Sequence, residues 1–153
     1  MISYEPTGYW RGNETSGTAL IDYGAEGNDG TLVNATFGNA ETPLSNETAT
    51  SIDFDGSGDY VTIPHVAAYN QDEQTWLFHS FAPAVQPVAD IKGVIWKGAT
   101  TAISEVNGTY RTAVGEGLRI GFYSGGGNAN SLVVADDTVF GRGWGFAGFT
   151  KTP

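Results

Sequence analysis

The feature that most constrains the fold of this chain is the lack of helical periodicity. No stretch keeps apolar residues at the i, i+3, i+4, i+7 spacing for three turns, because Gly, Asn, Thr and Pro interrupt nearly every window of that length. Short runs rich in β-branched and aromatic residues recur instead, and these predict strands. The predicted strands are 2–10, 30–34, 51–54, 60–63, 75–81, 91–97, 118–123, 131–134 and 144–150. The pattern predicts an all-β fold of two packed antiparallel sheets.

Composition further limits the kinds of site and partner that this protein can have. The chain has 153 residues without an internal repeat or linker, so we expect one domain spanning 1–153. It has no cysteine, which excludes a disulfide framework, a thiolate metal site and a thiol nucleophile. A net charge of −10 would repel a phosphate backbone, so nucleic acid is not an expected partner. No apolar run approaches the length of a membrane span.

Two segments carry a family resemblance. The first combines Tyr-Trp at 9–10, Ser-Gly-Thr at 16–18, Asp22 and G-N-D-G-T-L at 27–32, and the second reads F-D-G-S-G-D-Y-V-T-I-P at 54–64. Both resemble the laminin-G-like branch of the concanavalin A-like lectin and glucanase superfamily. The resemblance implies a jelly-roll sandwich of two antiparallel sheets. It also implies that further strands would follow the last one here, so we expect a longer protein or completion by a neighbouring chain.

Catalysis is not expected from the acidic residues. The related glucanases use two carboxylates presented from one strand at period-2 spacing, and no E-x-D-x-x-E run is present. The only closely spaced acids on a predicted strand, Asp53 and Asp55, belong to the hairpin that carries the resemblance. His65 and His79 lack the partners of a metal site or a nucleophile elbow, which predicts structural or exposed side chains. We therefore expect a non-enzyme.

Two groups of oxygen-bearing side chains could bind calcium. Domains that resemble this one often hold Ca²⁺ at the rim of the sandwich, and carboxylate and carbonyl oxygens are the ligands that this ion prefers. The candidate ligands are Asp22, Asn28 and Asp29 in one hairpin and Asp55 and Asp59 in the other. The alternative is that these side chains only shape turns through hydrogen bonds to nearby backbone N–H groups.

Candidate glycan contacts come from aromatic and polar residues in loop-like settings. An exposed ring can stack on the apolar face of a pyranose while neighbouring polar side chains bind its hydroxyl groups. The candidates are Tyr69, Asn70, Asp72, Tyr110 and Arg111.

Four N-glycosylation sequons fall in or beside predicted turns and favour a surface protein. Their acceptors are Asn13, Asn34, Asn46 and Asn107.

The last predicted strand carries Trp144, Phe146 and Phe149, and we expect it to be an unpaired edge that joins another chain. Together these features predict a non-catalytic binding or adhesion module of an extracellular or virion surface assembly, such as a fibre, spike or decoration protein that recognises glycans. The first alternative is a purely structural capsid or tail subunit with only protein partners. The second is a remnant of a glycoside hydrolase.

Overall fold

The computed structural model describes residues 5–40, 49–71, 73–82, 91–98, 104–111, 118–122, 131–134 and 143–151. Regular structure in these ranges consists of strands and one turn of 3-10 helix, Ala67–Tyr69. The strands are β1 Ala19–Leu20, β2 Gly30–Val33, β3 Thr36–Asn39, β4 Ser51–Asp53, β5 Tyr60–Thr62, β6 Gln74–Ala82, β7 Ile91–Gly98, β8 Ser104–Arg111, β9 Leu118–Phe122, β10 Ser131–Val134 and β11 Gly143–Lys151. The prediction of an all-β chain is confirmed.

The chain divides into two compact units. The first unit contains residues 1–74 and 151–153, and the second contains residues 75–150. The single domain that the sequence predicts over 1–153 stays a prediction.

The first unit is built on an antiparallel sheet in the order β1-β2-β5. Leu32 of β2 pairs with Val61 of β5, and both side chains turn toward the core, whereas Thr31 and Thr62 pair on the opposite, exposed face. This alternation follows from the pleat of a strand, which sends successive side chains to opposite faces. The buried core consists of Leu20, Leu32 and Ala35, with Trp10, Phe37, Ile52 and Val61 packed against it.

A second pair of strands, β3 and β4, completes the first unit. Asn34 links β2 to β3 with a φ of 59°, a left-handed conformation that asparagine tolerates better than most residues. Its side-chain amide donates a hydrogen bond of 3.1 Å to the carbonyl of Gly58, in the turn between β4 and β5. Two turns that lie far apart in sequence are thereby connected.

The second unit contains an antiparallel sheet in the order β10-β9-β8-β7 and a separate ladder between β6 and β11. Within the four-stranded sheet, Ile120 of β9 pairs with Gly108 on one side and Leu132 on the other. Strands β6 and β11 approach each other very closely at Gly148 of β11, where an added Cβ would lie 2.7 Å from the carbonyl oxygen of Trp76 in β6. Glycine permits this close approach because it has no Cβ.

One strand prediction is wrong and three strands were not predicted. Over 5–9 the predicted first strand is absent, and only Trp10 forms a bridge, to Asp22. Pro6 has no N–H to donate to a neighbouring strand, and the N–H of Tyr9 donates to the side chain of Asp22 instead. The unpredicted strands are β1, β3 and β8.

The presence of strand β8 contradicts the settings expected for three of its residues. Asn107 was expected in or beside a turn, yet it pairs with Trp96 of β7 and Gly121 of β9. The loop-like setting expected for Tyr110 and Arg111 is also wrong, because both lie in this strand. Pairing on both sides overrides the local turn preference of an Asn-Gly dipeptide.

Candidate functional site

The carboxylate of Asp22 is the centre of the polar contacts in the first unit. The residue is only 8% exposed. Its Oδ1 accepts hydrogen bonds from the N–H groups of Tyr9 and Gly24, each at 2.7 Å, and its Oδ2 accepts one from Asn28 at 2.8 Å. We call Asp22 and these three N–H groups the Asp22 node. The node joins the segment before Trp10 to the turn that leads into β2.

Hydrogen bonding at the node favours the charged form of Asp22. Burial by itself would raise the pKa of this carboxyl, since a charge is costly to remove from water. The N–H groups of Tyr9, Asn28 and Gly24 oppose that effect, and the pKa of Asp22 ends below its ordinary value. The carboxylate is therefore ionised at neutral pH, and its charge is satisfied by backbone dipoles.

Aromatic and polar side chains surround the node. The backbone N–H of Asp22 donates to Asp29 Oδ1 at 2.9 Å, and the Trp10 indole N–H donates to the carbonyl of Asn28 at 3.1 Å. The Asn28 amide donates to the Tyr69 hydroxyl at 3.2 Å, and the Tyr69 and Trp10 rings meet edge to face with centroids 6.3 Å apart. Burial raises the pKa of the Tyr69 hydroxyl. These contacts give Tyr69 a packing role.

Two glycines allow the segments on either side of the node to approach closely. A Cβ at Gly24 would lie 2.6 Å from the Cα of Gly8 and 2.8 Å from both the carbonyl oxygen of Thr7 and the nitrogen of Tyr9. The Tyr23 N–H donates to the Tyr9 carbonyl at 2.7 Å, which makes these two tyrosines neighbours across the segments. Their spacing is therefore set by backbone contacts.

The two neighbouring tyrosines point outward. Tyr9 is 50% exposed and Tyr23 is 54% exposed, whereas Trp10 and Asp22, next to them in the chain, turn inward. The guanidinium carbon of the exposed Arg11 lies 5.9 Å from the centre of the Tyr23 ring, within the range of a cation–π contact. We call Tyr9, Tyr23 and Arg11 the tyrosine face. It offers two aromatic rings and a cation to a ligand.

The first group of predicted calcium ligands, Asp22, Asn28 and Asp29, does lie together, but the carboxylate oxygens accept hydrogen bonds from backbone N–H groups. Both oxygens of Asp22 face N–H groups, and Asn28 uses its amide nitrogen toward Tyr69 and the carbonyl of Pro64. An N–H group aimed at an oxygen competes with a cation for the same lone pairs. These contacts are those of the turn-shaping alternative.

The second predicted group forms a local turn at residues 55–59, which we call the acidic turn. Asp59 Oδ2 accepts hydrogen bonds from the N–H groups of Asp55 and Gly56, and Asp55 Oδ1 accepts one from Ser57 at 2.6 Å. Asp59 Oδ1 is buried without a hydrogen-bond partner. Among the residues that the structure describes, no three His, Asp or Glu side chains cluster as a metal site would require. Calcium binding stays a prediction.

The remaining predicted site residues are dispersed. Asn70 is exposed, and its Oδ1 lies 3.0 Å from Nε2 of His65. Asp72 lies outside the described residues. Tyr110 and Arg111 belong to the second unit, in β8. The glycan-binding role of these residues stays a prediction.

Two of the four sequon acceptors lie in described, irregular segments. Asn34 is exposed in the turn before β3, and Asn13 is half-buried with its carbonyl accepting a hydrogen bond of 3.2 Å from the Thr50 hydroxyl. Asn46 lies outside the described residues, and Asn107 lies in β8. Asn34 is therefore the acceptor whose setting agrees best with the expectation of a surface turn.

The predicted assembly edge is paired on one side. Trp144, Phe146 and Phe149 lie in β11, which forms a ladder with β6. The hydroxyl groups of Thr75 and Thr150, on these two strands, are 3.1 Å apart. Joining of this strand to another chain stays a prediction.

Sequence reasoning did not single out the tyrosine face. Residues 5–9 were expected to form a strand, so nothing suggested that Tyr9 and Tyr23 would be exposed neighbours. One sequence feature could have drawn attention to this face: Arg11 is the only lysine or arginine among residues 1–74.

Comparisons of the chain with protein-family models, with curated protein sequences and with solved structures found no match. Within the described part of the chain, no helix has the length and apolar character needed to span a membrane. The chain's own geometry is therefore the basis for a functional proposal.

Proposed function

We propose that this chain is a non-catalytic glycan-binding module that uses the tyrosine face, in a concanavalin A-like jelly roll on an extracellular or virion surface. The observation that carries the proposal is the exposure of Tyr9 and Tyr23 as backbone-bonded neighbours. Folding normally removes aromatic surface from water, so two adjacent exposed rings are available to a ligand.

The chemistry of the tyrosine face suits a sugar. The C–H side of a pyranose is apolar and flat enough to stack on a tyrosine ring, and the tyrosine hydroxyls and the Arg11 guanidinium can bind its oxygens. Two neighbouring rings could accept successive residues of an oligosaccharide. Contacts of this kind are individually weak, so firm attachment to a surface would rely on several copies acting together.

The Asp22 node supports binding by holding the face in place. Tyr9 is tied to the node through its N–H, and Tyr23 lies between Asp22 and Gly24, both of which take part in it. A platform that is ordered before binding loses less conformational entropy when the ligand arrives. A buried carboxylate close behind two exposed rings therefore serves affinity as well as stability.

The test is a glycan array followed by calorimetric titration of the best ligand. The double variant Tyr9→Ala/Tyr23→Ala should lose binding, while Tyr60→Ala should keep it. Tyr60 is the matched control, because it is 53% exposed in β5 of the same unit and lies outside the tyrosine face. Each titration should be repeated with calcium and with a chelator, which also tests the predicted cofactor. A silent array, or full binding by the double variant, would contradict the proposal.

The structural-subunit alternative has support of its own. Leu77, at 64% exposed, and Phe81 lie on one face of β6, and Phe54 and Ile63 are exposed in the first unit. Exposed apolar side chains of this size can form contacts between protein chains. Analytical ultracentrifugation at micromolar concentration would detect self-association. Oligomers that dissociate on Leu77→Lys, together with a silent glycan array, would favour this alternative.

A further inference from the structure

The charge distribution of residues 1–74, which contain the tyrosine face, is highly uneven. Residues 1–74 contain twelve Asp and Glu residues but only one lysine or arginine, which is Arg11. In such surroundings a cation would be expected to form an ion pair with one of the many carboxylates. The contacts that Arg11 makes are therefore informative.

Arg11 makes no such pair within the described part of the chain. Its guanidinium lies over the Tyr23 ring, and its N–H groups have no hydrogen-bond acceptor among the described residues. The side chain is exposed, so these donors can reach a ligand. A guanidinium presents its N–H groups as a planar fork that matches the two oxygens of a carboxylate.

We propose, building on the proposed function, that the tyrosine face selects glycans that carry a carboxylate, such as hexuronic acids. One sugar ring stacks on Tyr9 or Tyr23, and its carboxylate accepts two hydrogen bonds from Arg11. The cation lies over the Tyr23 ring, and Tyr23 is bonded through its backbone to Tyr9, so a sugar on this face can reach the guanidinium and a ring together. Arg11 thereby distinguishes an acidic sugar from a neutral one of the same shape.

The net negative charge of residues 1–74 sets an upper limit on the charge of the ligand. A polyanion such as a heavily sulfated glycan would be repelled by a segment that contains twelve Asp and Glu residues, and one arginine cannot offset that repulsion. An isolated carboxylate makes a short-range, charge-assisted contact with Arg11 while the rest of the sugar stays neutral. The inferred ligand is therefore a glycan with single carboxylates rather than a densely charged one.

The experiment compares acidic sugars with their own uncharged esters. Short glycans that contain a single galacturonate, glucuronate or mannuronate residue are titrated against the full chain beside their methyl esters, which keep the ring and remove the charge. The wild-type chain should bind at least one acid about tenfold more tightly than its ester, the difference that a charge-assisted bidentate contact can supply. Heparin should bind more weakly than that acid.

Variants of Arg11 assign the effect to its guanidinium. Arg11→Gln should bind acid and ester equally, at the affinity of the ester, and Arg11→Lys should keep only part of the preference because a lysine cannot form the bidentate fork. Equal binding of every acid and ester by the wild-type chain would overturn this inference alone, as long as binding still requires Tyr9 and Tyr23. Stronger binding of heparin would also overturn it. A chain that binds no glycan at all would overturn the proposed function with it.

Discussion

The Asp22 node and the acidic turn look alike in sequence and differ in structure. Both consist of aspartates beside glycine and asparagine or serine, and both were predicted as calcium sites or turns. At the node, Asp22 is buried and bonds to Tyr9, thirteen residues away. In the acidic turn, the carboxylates bond to N–H groups within four residues, close to solvent.

This difference shows that sequence separation and burial decide what an aspartate stabilises. A local, exposed hydrogen bond fixes a turn that water can also solvate, so its net effect on folding is small. A buried carboxylate that holds distant segments cannot lose its partners without leaving N–H groups unsatisfied. The tyrosine face depends on the second kind of contact.

The largest expected effect follows from replacing the carboxylate of the node. Asp22→Asn keeps one acceptor oxygen but places an NH₂ group opposite an N–H donor, so at least one bond is lost and the others lose their charge. We expect a loss of about 2–3 kcal/mol in the free energy of unfolding, measured in urea. Asp53→Asn is the control, since Asp53 is exposed in β4, and it should cost less than about 0.5 kcal/mol. Equal effects of the two variants would show that the buried carboxylate of Asp22 stabilises the fold no more than an exposed one.

A slightly smaller effect is expected where the segments of the node touch. Gly24→Ala forces a Cβ into the backbone at Gly8 and should cost about 1–3 kcal/mol. Gly17→Ala separates this clash from backbone strain, because Gly17 has a φ of 89° but nothing within 4 Å of an added Cβ. It should cost about 1 kcal/mol. Thermal unfolding of both variants would check the order, and a Gly24 variant as stable as wild type would show that the segments are not in close contact.

The contribution of Asp22 should depend on pH. Because its pKa is lowered by folding, the ionised carboxylate stabilises the folded chain at all pH values above its ordinary pKa of about 3.8. That stabilisation is lost as the pH falls through the lowered, folded-state pKa. The difference in unfolding free energy between wild type and Asp22→Asn should therefore be constant from pH 7 to about pH 5 and shrink below about pH 4. A difference that is the same at pH 3 and pH 7 would refute the assigned charge state.

The smallest effect is expected in the acidic turn. Asp59→Asn leaves an oxygen that can still accept from the N–H groups of the exposed Asp55 and Gly56, and it removes the charge from a carboxylate whose buried Oδ1 has no hydrogen-bond partner. The loss should be about 1 kcal/mol or less in the same urea experiment. A loss as large as that of Asp22→Asn would mean that the turn is as important to the unit as the node.

The strands were predictable where β-branched and apolar residues alternate with polar ones and typical turn residues flank the run. The bounds of β10 agree with the prediction, and those of β2 and β5 differ from it by one residue, because β-branched and apolar residues lie between clear turn signals. Strand β8 was missed, since its Asn-Gly pair favours a turn locally and only pairing with β7 and β9 makes it a strand.

The candidate site was predictable in part. The sequence placed Asp22, Asn28 and Asp29 in one hairpin, and they are indeed connected by hydrogen bonds. It did not predict what the carboxylate of Asp22 would bind, because the N–H of Tyr9 comes from a segment whose position depends on the tertiary fold. The exposure of Tyr9 and Tyr23 has the same origin, because it also depends on where the segment of Tyr9 lies in the tertiary fold.

Amide hydrogen exchange, followed by NMR at neutral pH, tests the central contrast most directly. The N–H groups of Tyr9, Gly24 and Asn28, which bond to Asp22, should exchange only through an opening whose free energy approaches that of global unfolding. The N–H groups of the acidic turn should exchange much faster, by local opening. In Asp22→Asn, the first set should lose protection while the second set is unchanged. Equal protection of the two sets in the wild-type chain, or a node that exchanges faster than the turn, would contradict the account.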